Sequence, residues 1–423
     1  MVEHLKKKKP IENTKEKEDN EEFVDYIPDI RDGFQPLFAF ISDPHINAHQ
    51  YNLPQRAEDM LDALRGALIK CKEILGDDGL VVIGGDMFNS SIVSPSALMK
   101  TTEVINDAGC GMKIISIRGN HDGSYTKAQR KNISLIPLQA MTDNFKYVES
   151  GCDNWLLRGE LFIFQSHDKK TMKKLWEMNQ EIKEGSQGCD HKILVLHSIV
   201  EGSVPFGWDI PREEFKTFLR EHNIDLILTG HLHTKFVDNE LNLLNPGSLE
   251  CLDIDQAGNE RGFFIIGMEN GVLSHQWIPV RTRPMKDIVI DVGDISEVDL
   301  NDIVREKISG MNIPKGAIAR FNVIGSTTKS LRRIDKKLFT AKFPHLLKIF
   351  INNRIKYIQE GEDVVELLSP KDAIKKALKD AGIRDRDLDY FSESMIDISN
   401  EASKRVEGWQ NEIRKIIQRQ IKG

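Results

Sequence analysis

Cysteine is scarce and scattered in this chain: five residues in 423, at positions 71, 110, 152, 189 and 251, with no C-x-x-C pair. That spacing excludes a disulfide-stapled scaffold and a structural zinc ribbon, and it predicts reduced thiols in a reducing compartment. Long apolar runs are also missing. No stretch is long enough to span a bilayer, and no apolar h-region follows the basic run 6–9, which predicts a protein neither secreted nor membrane-inserted. Nor is there an excess of positive charge, since 58 Lys and Arg face 65 Asp and Glu for a net charge of −7. A protein that coats nucleic acid through bulk charge is thereby excluded, and any recognition of phosphate has to be local. A hydrophobic content of 40% over this length suffices for one large core and a smaller domain.

Against that background five short segments stand out: Asp43-Pro44-His45, Gly84-Gly85-Asp86, Gly119-Asn120-His121-Asp122, His197, and Gly230-His231-Leu232-His233. Each follows an apolar, β-branched run, at 37–42, 80–83, 113–117, 192–196 and 225–229. Such runs, separated by helical patterns at 55–75 and 95–107, predict buried strands of an α/β fold with polar side chains presented where the strands end. Taken alone, a Gly-Asp or an Asp-x-His is a turn, and a strand-end histidine is a satisfied core residue. All five in this order point instead to a metal site. His49, His191, His222, His275 and His345 lack a partner pattern and read as structural, whereas His167, within 165–170, is a candidate to line a substrate path.

The residue types specify the chemistry. Two divalent cations about 3.5–4 Å apart need a carboxylate that bridges them, for which Asp86 is the natural candidate, together with imidazole and oxygen donors around each ion. Without thiolate, that donor set favours Mn, Fe, Ni or Zn; Mg and Ca use fewer imidazoles. Manganese or iron comes first.

The ordered set resembles the calcineurin-like metallophosphoesterase superfamily, whose fold is a four-layer sandwich of two sheets flanked by helices. The resemblance implies two divalent ions per chain, Mn2+ first, one held by Asp43, His45, Asp86 and His233, the other by Asp86, Asn120, His197 and His231. It also places His121 over the phosphate as general acid or charge stabiliser, with Asp122 orienting it. Arg118, Lys127 and Arg130 become candidate phosphate contacts. After Asp86 the chain reads Met87-Phe88-Asn89, without the Asp-Arg-Gly of the Ser/Thr protein phosphatases. The stretch from Gln50 to Arg56 with Asp59, the run from Asn245 to Glu250, then Arg261-Gly262-Phe263 and Arg281-Thr282-Arg283-Pro284, are similar to the double-strand-break-repair nucleases called SbcD in bacteria and Mre-eleven in archaea and eukaryotes. That similarity covers about residues 37–290. It implies a Mn-dependent 3′–5′ exonuclease and single-strand or hairpin endonuclease that processes DNA ends. Asn89 occupies the position where many members carry a histidine associated with exonuclease action, which opens the balance between the two activities. A phosphodiesterase for small nucleotides and a catalytically weak scaffold bridging DNA ends are the alternatives.

Changes of pattern divide the chain. Residues 1–34, rich in Lys, Glu, Asp and Asn, are expected to be a disordered charged extension. The nuclease domain is expected at 35–284. A smaller α/β capping domain follows at 285–368, with strands at 287–291, 317–324 and 347–351 and helices at 298–309 and 329–342; Arg332, Arg333, Lys336 and Lys337 form a basic cluster within it. Residues 369–423 read as helical, with a stripe of Ala402, Val406, Trp409, Ile413 and Ile416 at alternating fours and threes. A terminal amphipathic helix can pack on its own domain, and the stripe Leu61, Leu64, Leu68 and Cys71 at helical spacing reads as core more readily than as interface; the resemblance implies that 369–423 docks on an SMC-like repair ATPase and that helices 55–75 and 95–107 form a homodimer. The expected setting is cytoplasmic and nucleoid-associated, without a membrane.

Overall fold

A computed structural model describes residues 29–123, 134–155, 159–204, 207–295, 299–327 and 333–357. Lys127, Arg130, Arg332 and the segment 369–423, expected to be helical, lie outside the described residues, as does most of the extension 1–34.

The first half of the larger domain contains β1 (Phe34–Ile41), α1 (Pro54–Leu75), β2 (Leu80–Ile83), α2 (Pro95–Ala108), β3 (Lys113–Ile117), α3 (Leu135–Met141) and β4 (Phe145–Val148). The second half adds β5 (Ser150–Trp155), β6 (Glu160–Gln165), α4 (Thr171–Glu177), α5 (Asn179–Gly185), β7 (His191–His197), α6 (Arg212–His222), β8 (Leu226–Gly230), β9 (Phe236–Asp238) and β10 (Leu243–Asn245). The chain then returns through β11 (Gly262–Glu269) and β12 (Val272–Pro279) to the first sheet. Two six-stranded sheets result, ordered β12-β11-β1-β2-β3-β4 and β5-β6-β7-β8-β10-β9. In both, the strands that lead to the five motifs are parallel.

Alternation along each strand builds the four layers. Phe38 and Phe40, Val82, Ile115 and Ile117 point inward to meet Phe162, Phe164, Ile193, Val195 and Leu228 of the second sheet. Their neighbours Ala39, Ile41, Val81, Ile83 and Ile114 point outward beneath α1–α3, and Leu161, Ile163, Leu194 and Leu196 do the same beneath α4–α6. Because both faces of these strands are covered, the runs read as continuously apolar. The fold is therefore α/β, two sheets flanked by helices, as the sequence predicts.

Local chemistry fixes the helices as well. Pro54 and Pro95 occupy first-turn positions where a missing N–H is harmless, and the Ser94 side chain accepts from the Ala97 amide. Gly76, at φ 79°, ends α1. The stripe of Leu61, Leu64, Leu68 and Cys71 is core, between 0 and 6% exposed. That agrees with the reading of the stripe as core: α1 turns it to the sheet, and Ile69 is the large apolar residue of this helix left exposed.

After Pro284 come β13 (Met285–Asp294), α7 (Leu300–Ser309), β14 (Ile318–Thr327), α8 (Lys336–Lys342) and β15 (Lys348–Tyr357), a parallel three-stranded sheet with its own core around Phe321, Val304 and Phe339. It is tied to the two six-stranded sheets by ionic and apolar contacts. Arg320 pairs with Asp255 and Asp287, Tyr51 packs edge-on to Phe350, and Arg283 donates to the Gly316 carbonyl. No described helix is long and apolar enough to cross a membrane.

Candidate metal centre

Every motif leaves the carboxyl end of a parallel strand, so the two sheets deliver them to one edge of the sandwich. Holding so many polar groups there strains the backbone. Asp43, His45, Asp86 and His231 all adopt positive φ, at 50°, 47°, 50° and 86°, conformations that non-glycine residues occupy at a cost of about 1–3 kcal/mol each. The loops after β1 and β2 compensate by pairing: the His45 amide donates to the Asp86 carbonyl and the Ile46 amide to that of Met87, both at 2.9 Å. Gly119 is glycine for reasons of space, since a Cβ there would lie 2.0 Å from Asp86 Oδ1. Gly230 is likewise confined, with Ser42 Oγ 2.2 Å from a would-be Cβ.

Three ligand-type clusters form: Asp43, His45 and His233; Asp86, His197 and His231; and His45, Asp86 and His121 between them. Asp86 sits at the junction. Its Oδ2 lies 3.3 Å from His197 Nε2, 3.7 Å from His45 Nε2 and 4.0 Å from His121 Nε2, yet it is buried and has no hydrogen-bond partner among the described residues. His45 Nε2 faces His233 Nε2 at 3.1 Å, and His197 Nε2 faces Asn120 Oδ1 at 3.0 Å. His197 Nδ1 donates to the Gly84 carbonyl at 2.7 Å, which leaves its Nε2 lone pair for the centre. Imidazole, amide and carboxylate donor atoms thus converge on one buried spot, which is the arrangement a cation completes.

Electrostatics agree. Burial opposes ionisation of Asp86, but His197, His121 and His45 hold its carboxyl well below the usual range. Burial likewise opposes a charged Asp43, and His45, His197 and His233 outweigh it. Against burial, Asp86 and Asp43 raise His197 to about 9, so the carboxylates call for positive charge at that spot. Burial and the neighbouring His45 push His233 down to about 3, keeping it a neutral donor.

His121 differs from this group in its exposure. Its side chain is 31% exposed, whereas those of Asp43, His45, Asp86 and His197 are at most 1% exposed. Its Nδ1 donates to the Asn89 carbonyl at 3.1 Å and its amide to Asp86 Oδ1 at 2.8 Å, which turns Nε2 toward the open side of the centre. The expectation that Asp122 orients this imidazole is corrected. The Asp122 carboxylate accepts from the amides of Gly119, Met87 and Phe88, so it locks the second and third loops together. Burial and the Asp86 charge raise it to about 6.

Arg118 is also reassigned from substrate contact to wall. Its guanidinium pairs with Glu149 at 2.8 Å and donates to the His167 carbonyl, and its side chain is only 14% exposed. His167, a candidate for the substrate path, is buried behind the centre. Its Nδ1 donates to the His197 carbonyl at 3.0 Å, and burial together with His197 lowers it to about 4. Ser42, which the sequence did not single out, donates to Asp43 Oδ2 at 2.5 Å.

The loop carrying His231 and His233 is held from behind. Arg261, 5% exposed, donates to the His233 carbonyl at 2.7 Å and to Ser248 Oγ at 2.8 Å, while Asn245 donates to the carbonyls of Leu232 and Thr234.

Residues 36–235 match the family model of the calcineurin-like phosphoesterases. The chain is 22% identical over 341 residues to the DNA double-strand break repair protein Mre11 of Methanococcus maripaludis, covering 77% of this chain and 84% of that protein. To the Mre11 of Methanocaldococcus jannaschii it is 23% identical over 278 residues, 62% of this chain and 66% of the relative. To the SbcD component of the nuclease SbcCD of Staphylococcus epidermidis it is 24% identical over 268 residues, 55% of this chain and 65% of the relative. The matched stretch runs through the strand ends that carry Asp43, Asp86 and His197 and stops just past His233, so residues 36–235 are similar to the calcineurin-like phosphoesterases and the longer alignments to the Mre11 and SbcD repair proteins.

Proposed function

We propose that this protein is a two-metal DNA nuclease, Mn2+-dependent, that processes DNA ends in double-strand break repair. The observation that carries the proposal is the buried, unpartnered Asp86 Oδ2 set between an Asp43/His45/His233 group and a His197/His231 group with Asn120 alongside. Those are the residues that would hold the ions, with Asp86 shared. When bound, the two cations neutralise phosphodiester charge and acidify water. The chain's own part is to position and to move a proton. As a water oxygen, having lost a proton to solvent, bonds phosphorus and the P–O bond to the leaving oxygen breaks, His121, protonated on both ring nitrogens, gives its Nε2 proton to that leaving oxygen. The Asn89 carbonyl fixes the ring from its other nitrogen.

Cleavage of labelled duplex and hairpin DNA with Mn2+, set against cyclic nucleotides and bis-p-nitrophenyl phosphate, tests the substrate class. Preference for the small esters would favour the nucleotide phosphodiesterase, and absence of all cleavage the scaffold. His121→Ala is expected to lower the DNA cleavage rate by about 10² or more while elemental analysis still finds the wild-type metal content. Loss of metal in that variant would remove it from the role of proton donor.

We infer a homodimer through the outer helical layer, where Ile69, Ile92 and Met99 are 44, 70 and 56% exposed on or beside α1 and α2. Met99→Glu, placing a charge in that patch, is expected to weaken self-association at least tenfold by analytical ultracentrifugation, with metal content unchanged. An unaltered dimer would move the interface elsewhere. Docking of residues 369–423 on an SMC-like ATPase, and a cytoplasmic, nucleoid-associated setting, complete the proposal on the strength of the sequence and of the SbcD and Mre11 relatives.

A further inference from the structure

A cleft of about 450 Å3 opens where the linker before β13 passes the loop that backs His233. Its fifteen lining residues include five Lys or Arg and no Asp or Glu, in a chain whose net charge is −7. One of these cations, Arg283, is neutralised by Asp59. Arg261 is not. It is 5% exposed, its Nη groups reach only neutral acceptors on His233, Ser248 and Gln256, and its Nε has no partner among the described residues. A buried guanidinium without a counter-charge is costly, and an anion completes it. On the rim, Arg281 and Lys286 are exposed and form no ion pair among the described residues. The rest of the wall has an apolar side that includes Val280 and Met285.

We propose that this cleft is a second, non-catalytic site that takes a nucleoside monophosphate, its phosphate on Arg261, Arg281 and Lys286 and its base against Val280 and Met285. The volume lies in the range of small-molecule pockets, and a mostly apolar wall with a few convergent polar groups is their usual composition. The site is linked to the metal centre through one side chain, because Arg261, which lines the cleft, also holds the His233 carbonyl. Occupancy and metal affinity therefore influence each other reciprocally.

The test uses the full chain treated with chelator, so that binding is read without metal and without nuclease activity. AMP and inorganic phosphate are titrated by calorimetry into wild type and into the Arg281→Ala/Lys286→Ala double variant. AMP is expected to bind wild type, to bind more tightly than phosphate, and to lose at least tenfold in the double variant, whose melting temperature stays unchanged because both positions are exposed. No AMP binding at millimolar concentration, equal binding to the double variant, or phosphate binding as tightly as AMP would each overturn the site. None of these outcomes bears on whether the protein cuts DNA, and a protein inactive on DNA that binds AMP as described would sustain it.

Discussion

Asp86→Ala is expected to empty the centre of metal and to reduce Mn2+-dependent cleavage by at least about 10³. The size follows from position: Asp86 is the carboxylate whose oxygen lies within 4.0 Å of imidazole nitrogens from both ligand groups, and metal ions supply several kcal/mol of charge stabilisation in such reactions, where each 1.36 kcal/mol is tenfold in rate. The variant also removes the acceptor for the His121 amide. His121 then loses its anchor as well as its neighbour, so the effect should exceed that of His121→Ala. Elemental analysis of the purified variant and a thermal melt check it together. Two tightly bound ions in a folded Asp86→Ala protein would show that another group bridges.

The residues that gather at the candidate centre could be located in the sequence because the strands that present them are buried on both faces. A run such as 80–83 or 192–196 has no polar side to offer, so the first polar residue after it marks where the strand leaves the core. The three strands of the third sheet were legible as apolar runs, but their ends were not: β13, β14 and β15 run on to Asp294, Thr327 and Tyr357, beyond the expected 291, 324 and 351, and α8 begins at Lys336, not at 329. Direction within a motif was not legible. Asp122 follows His121 directly, yet its carboxylate points back into the amides of Gly119, Met87 and Phe88; which way a strand-end side chain turns depends on a loop 35 residues away in sequence. Arg118 looked available for phosphate, but its partner Glu149 lies on the far side of β4 in the sequence. Periodicity likewise found the apolar stripe of α1 without saying whether a sheet or a second chain covers it. Arg261 and Asn245 drew notice only as part of a resemblance. Their function, holding the carbonyls of 232–234, is a backbone contact that no pattern of side chains encodes.

Asp59→Ala is expected to destabilise the fold by about 3–5 kcal/mol, the usual result of removing one partner from a buried ion pair. Arg56 is fully buried on α1 and reaches Asp59 Oδ2 at 2.6 Å and Glu250 Oε1 at 3.4 Å. Arg283 grips the same Asp59 with two nitrogens, and its amide donates to Glu250 Oε2 at 3.0 Å. Two guanidiniums and two carboxylates thus balance, and Asp59→Ala leaves an excess positive charge beside Arg56, whose side chain is fully buried. Because Arg283 also donates to the Gly316 carbonyl, the loss reaches the third sheet as well as α1. Thermal unfolding should shift down by roughly 10 °C or more, and limited proteolysis should open the linker at 281–284 before either sheet system is cut. A shift below about 2 °C, with the linker as resistant as in wild type, would mean that the apolar contacts around Met285 and Ile318 hold the two parts together on their own.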